Sequence, residues 1–146
     1  MENPEYILLV DDDPEYVPLI QIAFQEANVS NPVRVVIDAS EAMRYLRGEG
    51  CYADRSLHPL PVLIVMDLRM PGMNGFELLH WLRSQPGMST MPVAVLTGSE
   101  FTGEARRASE AGANAFHLKP FEFTKLVEIL QDVSARFLRR DWRKAA

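Results

Sequence analysis

Five short apolar runs alternate with stretches of helical spacing along the chain. Tyr6–Val10, Val33–Ile37, Pro61–Met66, Val93–Leu96 and Ala115–Leu118 are aliphatic or β-branched and are bounded by polar or turn residues. Near-continuous apolar runs of this length suit strands buried on both faces of a parallel sheet. Between them, Val17, Ile20, Phe24 and Ala27 fall on one helical face, and Phe76, Leu79 and Leu82 recur every three residues. Leu126, Ile129, Leu130, Val133 and Phe137 draw a last stripe. Asp13-Pro14 reads as a helix cap followed by proline at the first helical position, and Asp38-Ala39-Ser40-Glu41 has the spacing of a capping box with Asp in place of Ser or Thr. Asn74-Gly75 opens the third helix and Gln85-Pro86-Gly87 closes it. Pro18 breaks the local rule and predicts a kink in the first helix.

Repeated strand–helix pairs of this kind predict an α/β domain, an open parallel sheet with helices on both faces. Two pieces stay irregular: the connection Gly48–Leu60 and the tail Leu138–Ala146. A length of 146 residues with 47% hydrophobic and 24% charged residues fits one globular domain and excludes a disordered or collagen-like chain. Cys51 is the single cysteine, so no internal disulfide forms, and a reducing compartment is expected. No apolar run reaches the ~20 residues of a membrane span, and the first residues lack the basic region of a signal peptide, which points to the cytoplasm. A net charge of −5 argues against general nucleic-acid binding.

In an open α/β sheet, ligands sit outside the carboxyl ends of the strands. The unusual residues of this chain stand there. The first strand runs into Asp11, Asp12 and Asp13, the third into Asp67, the fourth into Thr97 and the fifth into Lys119-Pro120. Taken singly, each acid is a helix cap or the start of a turn, and Asp13 fits that role before Pro14. Taken together, they bring carboxylates, a hydroxyl and an ammonium to one edge. Two carboxylates ~4 Å apart repel by about 4 kcal/mol at an effective dielectric near 20, so Asp11, Asp12 and Asp67 need a cation among them. Lys119 offsets one charge; oxygen ligands suit Mg²⁺, or Mn²⁺, for the rest. The same arrangement suits an incoming phosphoryl group, with Asp67 as nucleophile.

That arrangement resembles the receiver domain of two-component response regulators, from about Tyr6 to Phe137. The pieces are Ile7-Leu8-Leu9-Val10-Asp11-Asp12, Val62–Gly75 with its Asp67-Leu68-Arg69-Met70-Pro71-Gly72, Val93–Gly98, and Phe116-His117-Leu118-Lys119-Pro120-Phe121. The resemblance implies a five-stranded, flavodoxin-like doubly wound sheet of order 2-1-3-4-5. It divides the chain into a receiver domain, 1–137, and a short basic extension, 138–146, with no output domain. It implies that Asp67 takes a phosphoryl group from a phosphohistidine on a sensor histidine kinase or histidine phosphotransfer protein. Asp11 or Asp12, with Asp67 and the backbone carbonyl of Arg69, would hold Mg²⁺. Thr97 and Lys119 would bind the phosphoryl oxygens, Thr97 and Phe116 would act as the switch pair, and Arg69 and Ser99 would tune the phosphoryl lifetime. A cis bond before Pro120 is a frequent family feature. Phe116 departs from the common tyrosine, so a switch here would rest on packing. The Gly48–Leu60 connection is similar to that of stand-alone regulators of bacterial phytochrome kinases. Signalling would run through the surface of the fourth helix, fifth strand and fifth helix, which is also a candidate homodimer face.

Other readings have sequence features against them. A turnover phosphatase of the haloacid dehalogenase type wants a second acid two residues after the nucleophile, where this chain has Arg69. A flavodoxin-like nucleotide binder would need a Gly/Ser/Thr-rich loop after the first strand, where Asp11-Asp12-Asp13-Pro14 stands. An unphosphorylated receiver-like scaffold stays open as an alternative, although such degenerate members usually lose the lysine or the acidic pair and this chain keeps both. The reading is therefore of a phosphoacceptor rather than an enzyme. Residues 136–144 carry five bases and one acid; the expectation is a solvated basic extension of the last helix, with Phe137, Leu138 and Trp142 available for packing. His58, His80 and His117 have no partners at metal-ligand spacing, and the methionines read as core filling.

Overall fold

The computed structural model describes residues 5–98 and 103–144. The elements alternate as β1 (Ile7–Val10), α1 (Tyr16–Glu26), β2 (Val33–Val36), α2 (Ala39–Arg47), β3 (Leu63–Met66), α3 (Gly75–Arg83), β4 (Val93–Thr97), α4 (Glu104–Glu110), β5 (Ala115–Leu118) and α5 (Phe123–Phe137). All strand pairings are parallel, in the order β2-β1-β3-β4-β5. The sheet therefore reverses direction of growth beside β1 and β3, the place where an open α/β sheet forms its crevice.

Alternation along the strands builds two cores. Leu8, Val10, Ile64, Met66, Val93 and Val95 face α2, α3 and α4, whereas Ile7, Leu9, Leu63, Val65, Ala94 and Leu96 face α1 and α5. β1, β3 and β4 are buried throughout; β2 and β5 lie at the edges and are only partly covered. Their sequences look alike because an edge strand still packs both faces of its side chains while leaving one backbone side open.

The caps follow the sequence closely. Asp38 Oδ1 accepts from Glu41 N–H at 2.7 Å, and Asn74 Oδ1 accepts from Glu77 N–H at 3.1 Å. Asp13 acts the same way one turn ahead of α1: its Oδ1 accepts from the N–H groups of Glu15 and Tyr16, and its carbonyl from Val17 N–H. Pro18 is the third residue of α1 and follows the Val17 N–H bond to the Asp13 carbonyl, so its missing N–H costs one bond, to the Pro14 carbonyl, at the very start of the helix. The residue thus fits the helix start.

The Gly48–Leu60 connection is an ordered structure. Gly48 ends α2 in the left-handed conformation at φ 70°. The Arg55 guanidinium donates to the carbonyls of Tyr45, Leu46 and His58, so it closes the carboxyl end of α2 and the loop together. Tyr45 Oη donates to the carbonyl of Pro59 at 2.7 Å.

The tail differs from the solvated helical extension expected of it. α5 stops at Phe137, with Leu138 as its cap, and a 3-10 turn follows at Trp142–Lys144. Phe137 and Leu138 pack on the α1/α5 core, while Trp142 reaches the α2–α4 core. Trp142 Nε1 donates to the Pro61 carbonyl at 2.8 Å, and Arg143 Nη1 to the Leu60 carbonyl at 3.1 Å. Asp141 pairs with Arg143 at 2.7 Å. Burying the indole against the domain outweighs continuing a helix whose remaining side chains are charged. Trp142→Ala should therefore lower the urea midpoint of unfolding, by a stability loss of about 1–3 kcal/mol at unchanged m-value; a variant with the wild-type midpoint would mean that the tail contributes nothing to the fold.

Candidate functional site

The backbone ladder extends one residue past three strands and thereby fixes the site. Asp11 N–H donates to Val36 O at 3.1 Å, Asp67 N–H to Val10 O at 2.9 Å, and Lys119 N–H to Thr97 O at 2.7 Å. Asp11, Asp67 and Lys119 are thus held by the sheet while their side chains project beyond it. Thr97, the last residue of β4, completes the row.

The side chains converge. Lys119 Nζ lies 2.9 Å from Asp11 Oδ2 and 3.0 Å from Asp67 Oδ2. Thr97 Oγ1 donates to Asp67 Oδ1 at 2.6 Å, and Arg69 N–H donates to the same oxygen at 3.2 Å. Asp13 N–H donates to Asp11 Oδ1 at 2.9 Å. Asp11 is 1% exposed and Asp67 6%, whereas Asp12 stands in solvent. One oxygen from each of Asp11, Asp12 and Asp67 lies within 4.8 Å of the others.

Charge does not balance here. Burial raises the Asp11 carboxyl above its ordinary range, against the hydrogen bonds from Lys119 and Asp13 N–H. Burial alone would lower the Lys119 ammonium, but its hydrogen bonds and attraction to Asp11 and Asp67 outweigh that and hold it above its ordinary value. One ammonium serves two buried acids and an exposed third. Carboxylate oxygens gathered with this excess of negative charge fit a hard divalent cation, Mg²⁺ or Mn²⁺. Asp11, Asp12 and Asp67 would be its side-chain ligands; the Arg69 carbonyl stands in the loop just beyond Asp67.

Gly75, which the sequence marked only as a helix start, and two residues that it did not mark, Tyr16 and Glu104, support the site. Tyr16 roofs Lys119, its ring centroid 4.8 Å from Nζ, and its Oη donates to Pro120 O at 3.1 Å. Gly75 sits so close to the Asp67 loop that a Cβ would meet Asp67 O at 2.7 Å and Leu68 Cα at 2.9 Å. Glu104, first residue of α4, pairs with the Arg69 side chain. Tyr16 has a faint sequence signal, three residues after the capping Asp13; Glu104 has none, because its partner is far along the chain.

Thr97 and Phe116 share one face of the sheet. The register sets Val95 beside Phe116 and Thr97 beside Leu118, and Phe116 packs half-buried on the α2–α4 core. Ser99 lies outside the described residues. The cis bond implied before Pro120 is not found: no cis peptide occurs among the described residues. His58, His80 and His117 lie away from the acidic cluster, in which the described ligating groups are Asp11, Asp12 and Asp67.

A family model described as the response regulator receiver domain matches residues 7–131. The chain belongs to the response regulator receiver family. Its similarity extends to individual members. It is 33% identical over 93% of its length to Response regulator Rre1 of Synechocystis sp., spanning 54% of that protein. The chain spans about half of that relative, but nearly the whole of two solved ones. The crystal structure of the phosphorylated cyanobacterial phytochrome response regulator RcpA superposes with a TM-score of 0.83 at 32% identity, over 92% of this chain and 94% of that one. The Mn²⁺-bound form of response regulator Rcp1 gives 0.79 at 26% identity, over 98% and 97%.

Two predictions follow from the charge imbalance and the close packing at Gly75. Because the folded state raises the Asp11 carboxyl, ionised Asp11 destabilises the metal-free receiver, and the penalty grows as pH rises from about 4 towards neutral. Asp11→Asn should melt above wild type at pH 7 without divalent cation, show no advantage below pH ~4, and lose the thermal shift expected of wild type with Mg²⁺. Equal melting of the two proteins at every pH would overturn the imbalance. Gly75→Ala should cost about 1–3 kcal/mol, since backbone rather than a flexible side chain blocks the new methyl, and should weaken the Mg²⁺-induced shift by displacing the Asp67 loop.

Proposed function

We propose that this receiver domain accepts a phosphoryl group on Asp67 from the phosphohistidine of a sensor histidine kinase or histidine phosphotransfer protein. The observation that carries this reading is the placement of a nearly buried Asp67 carboxylate between Lys119 and Thr97, with Asp11 and Asp12 alongside. In the transfer, an Asp67 oxygen attacks phosphorus, the P–N bond breaks, and the departing imidazole takes up a proton. Lys119 and Thr97 then lie where they can hold phosphoryl oxygens, since both already bond the attacking carboxylate. Bound Mg²⁺ would neutralise charge shared by the acids and the phosphoryl oxygens.

The domain is a stoichiometric acceptor in this reading, with slow self-dephosphorylation, and not a turnover enzyme. A phosphatase of the aspartyl-phosphate type needs an acid two residues past the nucleophile; Arg69 occupies that place and its side chain is committed to Glu104. The likeness to RcpA supports a phytochrome-type kinase as the donor. Leu19 and Ile22 on α1, Phe121 in the loop before α5 and Phe123 at its first position are exposed apolar side chains. The Tyr16–Pro120 hydrogen bond joins these two segments, which supports a kinase docking there. Output would pass through the α4–β5–α5 surface, where Thr97 and the half-buried Phe116 share a sheet face and Leu118 is exposed; that surface is also the proposed homodimer contact. Among the described residues no helix is long and apolar enough to cross a membrane, in keeping with a cytoplasmic setting.

Intact-mass analysis after incubation with acetyl phosphate and Mg²⁺ tests the reading. Wild type should gain one phosphoryl group with Mg²⁺ and none when EDTA removes the metal from the incubation. Asp67→Asn should gain none, and Lys119→Ala should phosphorylate about a hundredfold more slowly, the scale of losing one preorganised electrostatic partner. Phosphate on Asp67→Asn, or none on wild type, sinks the assignment.

A further inference from the structure

The Arg69 side chain, two residues past Asp67, spans from the phosphoacceptor loop to the first residue of α4. There it pairs with Glu104. The two partners are unequal. The Arg69 side chain is 50% exposed and Glu104 only 5%. Glu104 Oε2 is buried without a hydrogen-bond partner, so the carboxylate depends on Arg69 for its compensation. An uncompensated buried charge destabilises whatever holds it, and here the holder is the first turn of a seven-residue helix.

Arg69 is also anchored beside Asp67, as a second cation next to Lys119. Its own N–H donates to Asp67 Oδ1, so its Cα is fixed beside the acceptor. A phosphoryl group brings about −1.5 to −2 charges and three acceptor oxygens, and a guanidinium matches such an anion with two parallel hydrogen bonds. Lys119 is already shared between Asp11 and Asp67. The Arg107 guanidinium, one turn further along α4, sits 4.0 Å over the Phe76 ring instead of reaching Glu104. Among the described residues, Arg69 is the cation paired with Glu104.

We propose that Arg69 and Glu104 form a charge latch, resting on the phosphoacceptor reading above: in the unmodified domain it pins the start of α4, and phosphorylation of Asp67 opens it by drawing Arg69 to the phosphoryl oxygens. Arg69 is then a positioning residue that couples the site to α4 by exchange of one ion pair for another. This coupling runs beside Thr97 and Phe116 and requires no hydroxyl on the aromatic. By linkage, a change that weakens the latch but keeps Arg69 must strengthen binding of a phosphoryl group.

Amide hydrogen exchange of α4 and binding of beryllofluoride with Mg²⁺, a phosphoryl mimic, test the latch in the whole chain. In wild type, exchange at residues 104–107 should quicken when beryllofluoride binds. Glu104→Gln keeps shape and removes the charge. It should bind beryllofluoride about five- to tenfold more tightly and leave α4 exchange nearly indifferent to the mimic. Arg69→Ala should show fast α4 exchange without any mimic, because Glu104 is left buried and unpaired, and Arg69→Lys should restore part of the protection. Wild-type exchange in metal-free Arg69→Ala, or unchanged beryllofluoride affinity in Glu104→Gln, overturns the latch. The metal-free exchange reads the ion pair alone, so failure of Asp67 to take phosphate would strike the phosphoacceptor reading and leave that measurement standing.

Discussion

Lys119 places one ammonium between two buried carboxylates, 2.9 Å from Asp11 and 3.0 Å from Asp67, and the rest of the site is arranged around that shortage of positive charge. The lysine can stay charged in a half-buried position because both acids and the face of Tyr16 surround it. The acids can stay together because the lysine is there, although Asp11 still ionises less readily than an ordinary carboxylate. This arrangement leaves the unmodified domain electrostatically incomplete. A divalent cation among Asp11, Asp12 and Asp67 would supply the missing positive charge, and in the proposed reading that cation and Lys119 would then hold the oxygens of a phosphoryl group.

The scaffold that enforces this closeness is the parallel sheet. Hydrogen bonds that continue one residue beyond β1, β3 and β5 put Asp11, Asp67 and Lys119 in a row at the carboxyl edge, each anchored by its own backbone. Repulsion between Asp11 and Asp67 cannot relax by drifting apart without breaking the ladder beneath them. Gly75 sharpens the constraint from the other side, since α3 begins against the Asp67 carbonyl with no room for a Cβ.

The same sheet connects the site to a surface. Thr97 and Phe116 lie on one face, towards α4, and Arg69 reaches α4 from the loop after β3. α4 is the element through which both connections pass. Its sequence, Glu-Ala-Arg-Arg-Ala-Ser-Glu, buries only Glu104 and Ala108. A helix held by so few apolar contacts is one whose position a single ion pair can influence.

That helix is also where reading the chain from its residues reached least far. With only two buried positions, α4 has no apolar stripe to betray it, and Glu104 looks like any exposed acid until Arg69 is found beside it. The tail misled for a related reason: five bases suggest solvent, whereas a single indole, Trp142, decides where the segment lies. Asp11 and Asp12 are adjacent and chemically alike, and only the sheet register buries one and exposes the other. By contrast, the five strands, the caps at Asp13, Asp38 and Asn74, and the convergence of Asp67, Thr97 and Lys119 were legible beforehand. They follow from local patterns: runs of apolar residues, capping side chains, and polar residues directly after a strand. The amino-acid order alone therefore determined which elements form and which chemical groups stand at their ends, because those are short-range matters of periodicity and hydrogen bonding. The tertiary structure decided which of two neighbouring acids is desolvated, which arginine meets which glutamate, and where the tail docks, because each depends on contacts between residues distant in the chain whose balance of burial and charge no local pattern encodes.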